Sequence, residues 1–257
     1  MLSRKLKKHL RRIFFSALAA TVLLIGGYLF LKSQSYRKIK FTRYPEFGIA
    51  IPENYSIHGI DVSKYQDLIV WEEVKAMKVK NIQLGFSFIK ATEGIGNTDP
   101  RFNRNWKKAK ENKIIRGAYH FFIASKDGKM QAENFIDKVK LESGDFPPVL
   151  DIEQMNGTSA AVIKKEAKKW LEVVENYYQV KPIIYTNLDF YNHNFGSEFD
   201  KYPLWIAHYY QLEKPRIDRG WVFWQHSDEG RVNGIGSKVD FNVFNGDSLE
   251  FKNLLIR

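Results

Sequence analysis

Two acidic residues, Asp151 and Glu153, end the apolar segment PPVLDIE and are separated by a single residue. Alternate residues of a β-strand point to the same face, so this spacing predicts that the two carboxyl groups share one environment. Mutual repulsion and partial burial then raise the pKa of one of them, which becomes a proton donor near neutral pH. Cleavage of a glycosidic bond needs such a pair, because one carboxyl protonates the leaving oxygen while the other stabilises positive charge at the anomeric carbon. The alternative is a pair of strand-end acids neutralised by Lys or Arg.

Three further acids stand at the ends of candidate strands. Asp61 follows HGI, Glu93 follows FIKAT, and Asp240 lies in KVDFN. A carboxylate at the end of an apolar strand is costly to bury unless it is paired or functional. One such acid is often only a helix cap or an ion-pair partner, but several of them at one end of a fold indicate a catalytic site.

Aromatic residues fall in or just after the same candidate strands. They are Tyr65, Tyr119, Phe121, Tyr185, Trp205, Tyr209 and Trp224. Their flat faces can stack on the C–H faces of pyranose rings, which favours a carbohydrate cleft. Because aromatic side chains are also used heavily in cores, we expect only some of them to line that cleft.

The elements that must position these residues alternate along the chain. Short apolar, β-branched or aromatic runs predict strands at residues 57–62, 85–91, 115–122, 148–152, 182–185, 204–207, 222–225 and 239–241. Amphipathic stretches predict helices at residues 70–79, 102–112, 129–141 and 159–178. Strands that alternate with helices favour parallel pairing. Eight of them predict an α/β fold, a (β/α)8-type barrel whose chemistry sits at the C-terminal ends of its strands. Short connections after Tyr185 indicate an irregular barrel with a reduced set of helices.

The positive charge lies almost entirely at the N-terminus. The chain has 40 Lys and Arg against 29 Asp and Glu, and eleven of the basic residues precede the first acid, Glu46. Residues 44–257 are therefore electrically balanced. A nucleic-acid-binding protein carries its basic excess on the folded domain, so this distribution argues against a nucleic-acid partner.

The basic residues flank an uncharged apolar run at residues 13–31. Nineteen helical residues span about 28 Å, close to the thickness of the hydrocarbon core of a bilayer. Six basic residues precede the run, which by the positive-inside rule keeps the N-terminus cytoplasmic. We therefore predict a cytoplasmic segment (1–12), a transmembrane signal anchor in the lipid bilayer (13–31), a stalk (32–55) and an extracytoplasmic domain (56–257), in the periplasm or at the cell surface. The alternative is a cleaved signal peptide, for which Ala17-Leu18-Ala19 resembles a cleavage site.

Several kinds of site are excluded or unsupported by the sequence. The absence of cysteine excludes disulfides, cysteine zinc sites and thiol nucleophiles. No GxxxxGK[ST] loop, HExxH motif or helix-opening GxGxxG occurs. His120, His208 and His226 lie near strand ends without ligand spacing, so we expect them to be hydrogen-bonded core or cleft residues and expect no metal.

Ten segments occur in the order that is found in one family of enzymes. They are GIDVSKYQ (59–66), IKATEG (89–94), DPRFNRNW (99–106), GAYHFF (117–122), QAENF (131–135), PPVLDIE (147–153), YTN (185–187), LWIAHY (204–209), FWQ (223–225) and VDFNVFNG (239–246). On these segments the chain resembles glycoside hydrolase family 25, the Chalaropsis-type lysozymes. The resemblance covers nearly all of residues 57–246.

The resemblance implies an irregular eight-stranded barrel and a muramidase activity. The expected reaction is hydrolysis of the β-1,4 bond between N-acetylmuramic acid and N-acetylglucosamine in peptidoglycan, without a metal or organic cofactor. Glu153 corresponds to the general acid, Asp151 to its partner in the DxE motif, and Asp61 and Asp240 to the other acids of the site. We expect a monomer whose contacts with the glycan strand come from Tyr65, Glu93, Tyr119, Phe121, Tyr185, Trp205, Tyr209 and Gln225.

Two other functions remain open from the sequence. A non-catalytic glycan-binding module would keep the aromatic residues and lose one of the acids, yet all four are present. An endo-N-acetylglucosaminidase acting on chitin-like or N-linked glycans would also carry acids after its fourth strand. Such enzymes usually show a longer DxxDxDxE run, whereas Pro148, Val149 and Leu150 precede Asp151 here.

Overall fold

The N-terminal helix and the remainder of the chain are separate units in the computed structural model, which describes residues 4–35, 39–211 and 213–257. The first unit contains helix α1 (Arg4–Ser35). Within it, Lys8–Leu29 is 22 residues long with a mean hydropathy of 1.7, enough to cross a membrane. A signal sequence meets the same criterion.

The second unit, Lys40–Arg257, contains twelve strands and six helices in its described part. The strands are β1 (Phe41–Tyr44), β2 (Ile49–Pro52), β3 (His58–Val62), β4 (Lys78–Val79), β5 (Ile82–Glu93), β6 (Asn97–Thr98), β7 (Ile115–Phe121), β8 (Val149–Asp151), β9 (Ile183–Asn187), β10 (Leu204–Ala207), β11 (Phe223–Gly230) and β12 (Val239–Phe244). The helices are α2 (Trp71–Ala76), α3 (Phe102–Glu111), α4 (Gly128–Lys138), α5 (Ala160–Tyr178), α6 (Leu188–Asn194) and α7 (Ser248–Asn253). Two single 3₁₀ turns, Lys64–Gln66 and Ser197–Phe199, complete the elements.

Eight of the strands form a closed barrel. β3, β5, β7, β8, β9, β10 and β11 pair in parallel in that order, and β12 closes the barrel by pairing with β11 and β3. The predicted irregular barrel with few helices is thus confirmed. The expectation of parallel pairing is wrong for β12, which is antiparallel to both neighbours. The loop 231–238 that precedes it is shorter than the dozen or so residues that a parallel crossover needs.

Aromatic side chains fill the interior of the barrel. Phe88 stacks on Trp205 with ring centroids 4.4 Å apart, and Phe86 contacts Phe223 at 5.2 Å. Glycine is needed beside them, because a Cβ at Gly59 would lie 2.5 Å from the Phe86 ring. The barrel is therefore a packed core whose polar residues are left at one mouth.

Part of the segment predicted as a stalk (32–55) belongs to the folded unit instead. β1 and β2 form an antiparallel hairpin, which we call the N-terminal hairpin (41–52). Phe47 at its turn is fully buried with its ring 5.3 Å from that of Phe241, and its carbonyl accepts a 2.9 Å hydrogen bond from the Arg231 amide. The hairpin covers the outer side of β11 and β12, where helices are short or missing. Residues 36–38 of the predicted stalk lie outside the described residues.

Candidate active site

Four carboxyl groups meet at one mouth of the barrel. Asp61 lies near the end of β3, Asp151 ends β8, and Glu153 follows two residues later. Asp240 is the second residue of β12, and because that strand is antiparallel, its beginning lies beside the ends of the others, with Asp240 paired to Asp61. All four line one open cleft of about 640 Å³. The structure thus brings the four predicted acids together, although Asp240 begins a strand where an end was expected.

Most of the predicted site residues line this cleft. Besides the four acids, its walls include Tyr65, Tyr119, Phe121, Tyr185, Trp205 and Gln225. Two of the predicted residues lie in adjoining cavities instead. Glu93 lies in one that shares Lys90 with the cleft, and Tyr209 lies in another that shares Glu153 with it. Trp224, one of the candidate aromatic residues, lies on the outer side of β11, where its ring is 6.0 Å from that of Phe41.

Asp61 accepts hydrogen bonds from two amide side chains. The Gln225 Nε2 donates to Asp61 Oδ2 at 2.8 Å, and the Asn242 Nδ2 donates to the same oxygen at 2.7 Å. Each amide is itself oriented by an aromatic donor: Tyr185 Oη donates to Gln225 Oε1 at 2.8 Å, and Trp205 Nε1 donates to Asn242 Oδ1 at 2.7 Å. Both amides therefore present N–H groups to Asp61, an arrangement that favours its ionised form.

Tyr209 joins the same network from the loop after β10. Its hydroxyl donates to Gln225 Oε1 at 2.5 Å, the same oxygen that Tyr185 contacts. Tyr209, predicted to contact the glycan, therefore also helps to orient the Gln225 amide that donates to Asp61. Asn242 was missed by the sequence analysis, although its spacing of two residues from Asp240 on one strand could have indicated it.

Asp240 is placed to hold a proton. Burial, and then the negative charge of Asp61, raise the pKa of Asp240 to about 9. Burial also raises the pKa of Asp61, but hydrogen bonds from Asn242 and Gln225 oppose this rise. The pair consequently keeps one negative charge near neutral pH, on Asp61, with the proton on Asp240.

The pair in the DxE motif is buried to different degrees. Asp151 is 6% exposed and its Oδ1 has no hydrogen-bond partner among the described residues, whereas Glu153 is only half-buried. Burial raises the pKa of both carboxyls, and the charge of Glu153 raises that of Asp151 further. Neither forms an ion pair with a described residue, so the alternative of acids neutralised by Lys or Arg does not hold.

Lys90 is a cleft residue that the sequence analysis did not single out. Its side chain is almost completely buried, with the ammonium 2.6 Å from Glu93 Oε2 and 4.5 Å from the centre of the Phe121 ring. Its charge lowers the pKa of Asp151 and Glu153 and so opposes the effect of burial. Lys90 therefore lines the cleft, and Glu93 contacts it from the adjoining cavity.

The three candidate histidines lie away from the cleft floor. His120 is buried behind β7, where its Nδ1 lies 2.7 Å from Thr92 Oγ1 and its ring stacks on Trp170. His226 is on the outer side of β11, and His208 lies beside Tyr209. In the described ranges no group of three or more His, Asp or Glu side chains is arranged to hold a metal ion.

Comparisons with known proteins agree with this geometry. Residues 60–235 match the sequence profile of Glycosyl hydrolases family 25. The chain is 47% identical over 211 residues to Uncharacterized protein YegX of Escherichia coli (strain K12), covering 82% of this chain and 76% of that protein. It is 35% identical over 220 residues to Lysozyme M1 of Streptomyces globisporus, covering 79% of this chain and 72% of that protein. A solved family 25 glycosyl hydrolase from Bacillus anthracis superposes with a TM-score of 0.73 at 32% identity, covering 84% of this chain and 100% of that one.

Proposed function

Because the chain belongs to glycosyl hydrolase family 25 and is a glycoside hydrolase, we propose that it is an N-acetylmuramidase. The substrate is peptidoglycan, and the bond cut is the β-1,4 bond between N-acetylmuramic acid and N-acetylglucosamine. The similarity to Lysozyme M1 supports this substrate. The observation that carries the proposal is the cleft in which Asp61, Asp151, Glu153 and Asp240 converge.

Glu153 is the proton donor. A general acid must come within hydrogen-bond reach of the leaving oxygen, so access is considered before pKa. Glu153 is half-buried and lines both the cleft and the adjoining cavity beside Tyr209, whereas Asp151 lies at the floor. Burial raises the pKa of Glu153, which keeps the carboxyl protonated closer to neutral pH.

Asp151 acts on the sugar from the floor of the cleft. Its Oδ1 has no hydrogen-bond partner among the described residues, so it is available to a group that a substrate brings. As a carboxylate it stabilises the positive charge that develops at the anomeric carbon, or it orients the acetamido group of the substrate as an internal nucleophile. Either role requires Asp151 to lie close to Glu153, and only Ile152 separates the two residues in the chain.

Asp61 and Asp240 supply a fixed charge and a proton beside this pair. Asp61 is held by the amides of Gln225 and Asn242, so its negative charge is oriented before substrate binds. That charge raises the pKa of Glu153 and favours its protonated form. Asp240, protonated near neutral pH, is a hydrogen-bond donor at the same wall.

The cleft extends on two sides, as a polymer substrate requires. Glu153 is shared with an adjoining cavity that includes Asn187 and Tyr209. Lys90 is shared with a cavity on another side that includes Glu93 and Asn97. Sugars on either side of the cut bond would occupy these adjoining cavities, and Tyr65, which is 73% exposed at the rim, would contact the strand.

The test is the identity of the reducing end that the enzyme creates. Purified peptidoglycan is digested, the products are reduced with borohydride, and the fragments are identified by mass spectrometry. A muramidase yields muramitol at every new end. Glucosaminitol at the new ends, or cleavage of chitin oligomers in preference to peptidoglycan, would contradict the proposed bond. The absence of any released fragment would contradict peptidoglycan hydrolysis itself.

The apolar segment within α1 supports a role at the membrane. In this proposal residues 1–12 are cytoplasmic, residues 13–31 anchor the chain in the lipid bilayer, and the barrel is a monomer outside the cytoplasm. The sequence from Lys8 to Leu29 is long and apolar enough for this, and six basic residues precede residue 13. An anchored muramidase would act on the cell's own wall, in remodelling or catabolism, since its reach is restricted.

A further inference from the structure

A second cavity lies on the outer side of β11, against the N-terminal hairpin. We call it the hairpin cavity; it has a volume of about 860 Å³ including its open mouth. One wall comes from the hairpin, with Phe41, Arg43 and Ala50, and the opposite wall from Tyr210 and Gln211. The hairpin precedes residues 60–235, the region matched by the family, so half of this cavity is built from outside that region.

The hairpin cavity and the catalytic cleft lie on opposite sides of β11. Gln225 lines the cleft, and the next two residues of β11, His226 and Ser227, line the hairpin cavity. Likewise Tyr209 bonds to Gln225 in the site, while Tyr210 lines the hairpin cavity. A ligand that occupies both the cleft and the hairpin cavity would therefore cross the rim formed by Tyr209, Tyr210 and the Gln225–Ser227 part of β11.

The groups that face the hairpin cavity are free to bind a ligand. Arg43 and Ala50 are register partners and so lie on the same face of the hairpin. Among the described residues no hydrogen bond, ion pair or ring contact engages the Arg43 guanidinium. His226 is 5% exposed, and neither of its ring nitrogens has a hydrogen-bond partner in the described part of the chain. Such a buried, unpaired polar group is costly unless a ligand satisfies it.

Tyr210 has an unusual conformation at the rim. Its φ is +54°, in the left-handed region that bulky residues rarely adopt, and its side chain is 80% exposed. Strain of this kind collects at ligand-binding sites, where the surrounding structure holds it. With this backbone conformation Tyr209 contacts Gln225, and Tyr210 lies at the mouth of the hairpin cavity.

We propose that the hairpin cavity binds the peptide stem of the peptidoglycan strand whose sugars lie in the catalytic cleft. This inference rests on the proposed function. The stem is attached to the muramic acid sugar and carries carboxylates, which suit the unpaired Arg43. The other charged residue of the cavity, Glu229, is already paired with Lys238. Phe41 and Ala50 offer apolar surface to the alanine methyl groups of a stem.

The length of a stem is sufficient for this path. About four residues span roughly 13 Å when extended. The Cα atoms of consecutive residues, such as Tyr209 in the site and Tyr210 at the hairpin cavity, lie about 3.8 Å apart. A stem that leaves a sugar beside Tyr209 can therefore pass over Tyr210 into the hairpin cavity, which Arg43 also lines.

The test compares strands that carry stems with the same strands after an amidase has removed them. The full chain is purified in detergent, and kcat/KM is measured on both substrates. The variants are Arg43→Gln, which removes the charge, and Ala50→Trp, which fills the hairpin cavity from an exposed position. The matched controls are Lys181→Gln, just before β9 at the opposite end of the barrel, and Ala76→Trp, exposed at the end of α2.

We expect the wild type and both controls to prefer the stem-bearing strand. In Arg43→Gln and Ala50→Trp the ratio of kcat/KM between the two substrates falls about tenfold, the effect of losing one charge-assisted hydrogen bond. A wild type with no preference, or variants that slow both substrates equally, would overturn the stem site and leave the muramidase function standing. Loss of binding to anionic lipid vesicles in Arg43→Gln, with the stem preference unchanged, would assign the hairpin cavity to lipid and also overturn it. A wild type that cleaves neither strand would instead refute the proposed function.

Discussion

At the residue scale, burial controls the protons of the four carboxyl groups more than ion pairing does. Burial is the largest cause of the raised pKa in each of Asp61, Asp151, Glu153 and Asp240. Hydrogen bonds then distinguish the members, because Asp61 receives two amide donors and Asp151 has an oxygen with no described partner. The cleft therefore contains both proton-holding and charged carboxyls near neutral pH, which is the requirement for acid-assisted glycoside cleavage.

Replacing Glu153 by Gln should lower kcat on peptidoglycan by about two to four orders of magnitude. The amide keeps the shape of the side chain but has no acidic proton to give to the leaving oxygen. The measurement is the rate of muropeptide release, with circular dichroism to check the fold. Glu133→Gln, at an exposed position of α4, is the control. Equal rates for Glu153→Gln and wild type would exclude Glu153 as the acid.

Replacing Asp240 by Asn should stabilise the protein at alkaline pH while lowering activity. The folded-state pKa of Asp240 is raised to about 9 from 3.8, so the stabilising effect of its protonated form is present at acidic pH and is lost as pH rises towards 9. An asparagine amide does not ionise, so its contribution to stability does not fall as pH rises, and it can still donate a hydrogen bond to Asp61. We expect the free energy of unfolding at pH 8 to rise by roughly 1–3 kcal/mol, with little change at pH 4. Urea denaturation at both pH values measures it, and destabilisation at pH 8 would contradict the assignment.

Replacing Lys90 by Met should move the alkaline limb of the pH–rate profile to higher pH. The ammonium lowers the pKa of Asp151 and Glu153, so its removal lets the acid keep its proton at higher pH. A nearby opposite charge typically changes a pKa by about 1 unit or more. The profile of kcat/KM is compared with that of Lys129→Met, an exposed lysine on α4. An unmoved limb would show that the charge of Lys90 does not control the proton of the catalytic acid.

At the scale of elements, the N-terminal hairpin takes the place of a barrel helix. The connections around β11 and β12 contain no α-helix in their described part, and the hairpin covers the outer aromatic side chains of these strands. Alternation along β2 makes this possible, because Ile49 and Ile51 are buried while Ala50 is exposed. Ile49 and Ile51 thus lie on the buried face of the hairpin, and the face that carries Arg43 and Ala50 lines the hairpin cavity.

Replacing Phe47 by Ala should cost about 3–5 kcal/mol of unfolding free energy, the usual effect of truncating a fully buried Phe. Phe47 has no exposed surface and packs on Phe241. Denaturation of the variant is compared with that of Leu249→Ala, whose side chain is 67% exposed on α7. A cost below about 1 kcal/mol would mean that the hairpin behaves as a tether, as the sequence analysis expected.

At the scale of the whole molecule, charge and hydropathy divide the chain. Residues 1–43 hold all of the excess positive charge, and the remaining residues balance. The enzyme and the candidate anchor are thus two units of different composition, a distribution that agrees with the proposed membrane anchor. The first folded strand begins at Phe41, six residues after α1 ends at Ser35, so most of the predicted stalk (32–55) lies in the folded unit.

The full chain should remain with the membrane fraction after carbonate washing, and protease added to spheroplasts should degrade the barrel. Both results follow if residues 13–31 span the bilayer with the N-terminus inside. A soluble cytoplasmic protein expressed in the same cells is the control for lysis. Recovery of the barrel from the medium without residues 1–31 would show a cleaved signal peptide instead.

The sequence by itself determined the eight strands and the reduced set of helices. It also singled out the four acids that line the cleft, together with Glu93, which lies in an adjoining cavity. Local signals carry this information, because apolar runs, turn residues and the spacing of Asp151 and Glu153 act over a few neighbouring positions. The ten family segments added the proposed roles of those acids.

Tertiary structure alone decided the direction of β12, the hydrogen bonds around Asp61 and the place of Lys90. Each depends on residues far apart in the chain: Asn242 reaches Asp61 across 181 positions, and Gln225 across 164. It also decided that residues 41–52 pack on the barrel. The apolar side chains of a short hairpin do not indicate which surface they cover, and here that surface is formed by the outer faces of β11 and β12. Pairing at long range and burial set these outcomes, and no local pattern encodes them.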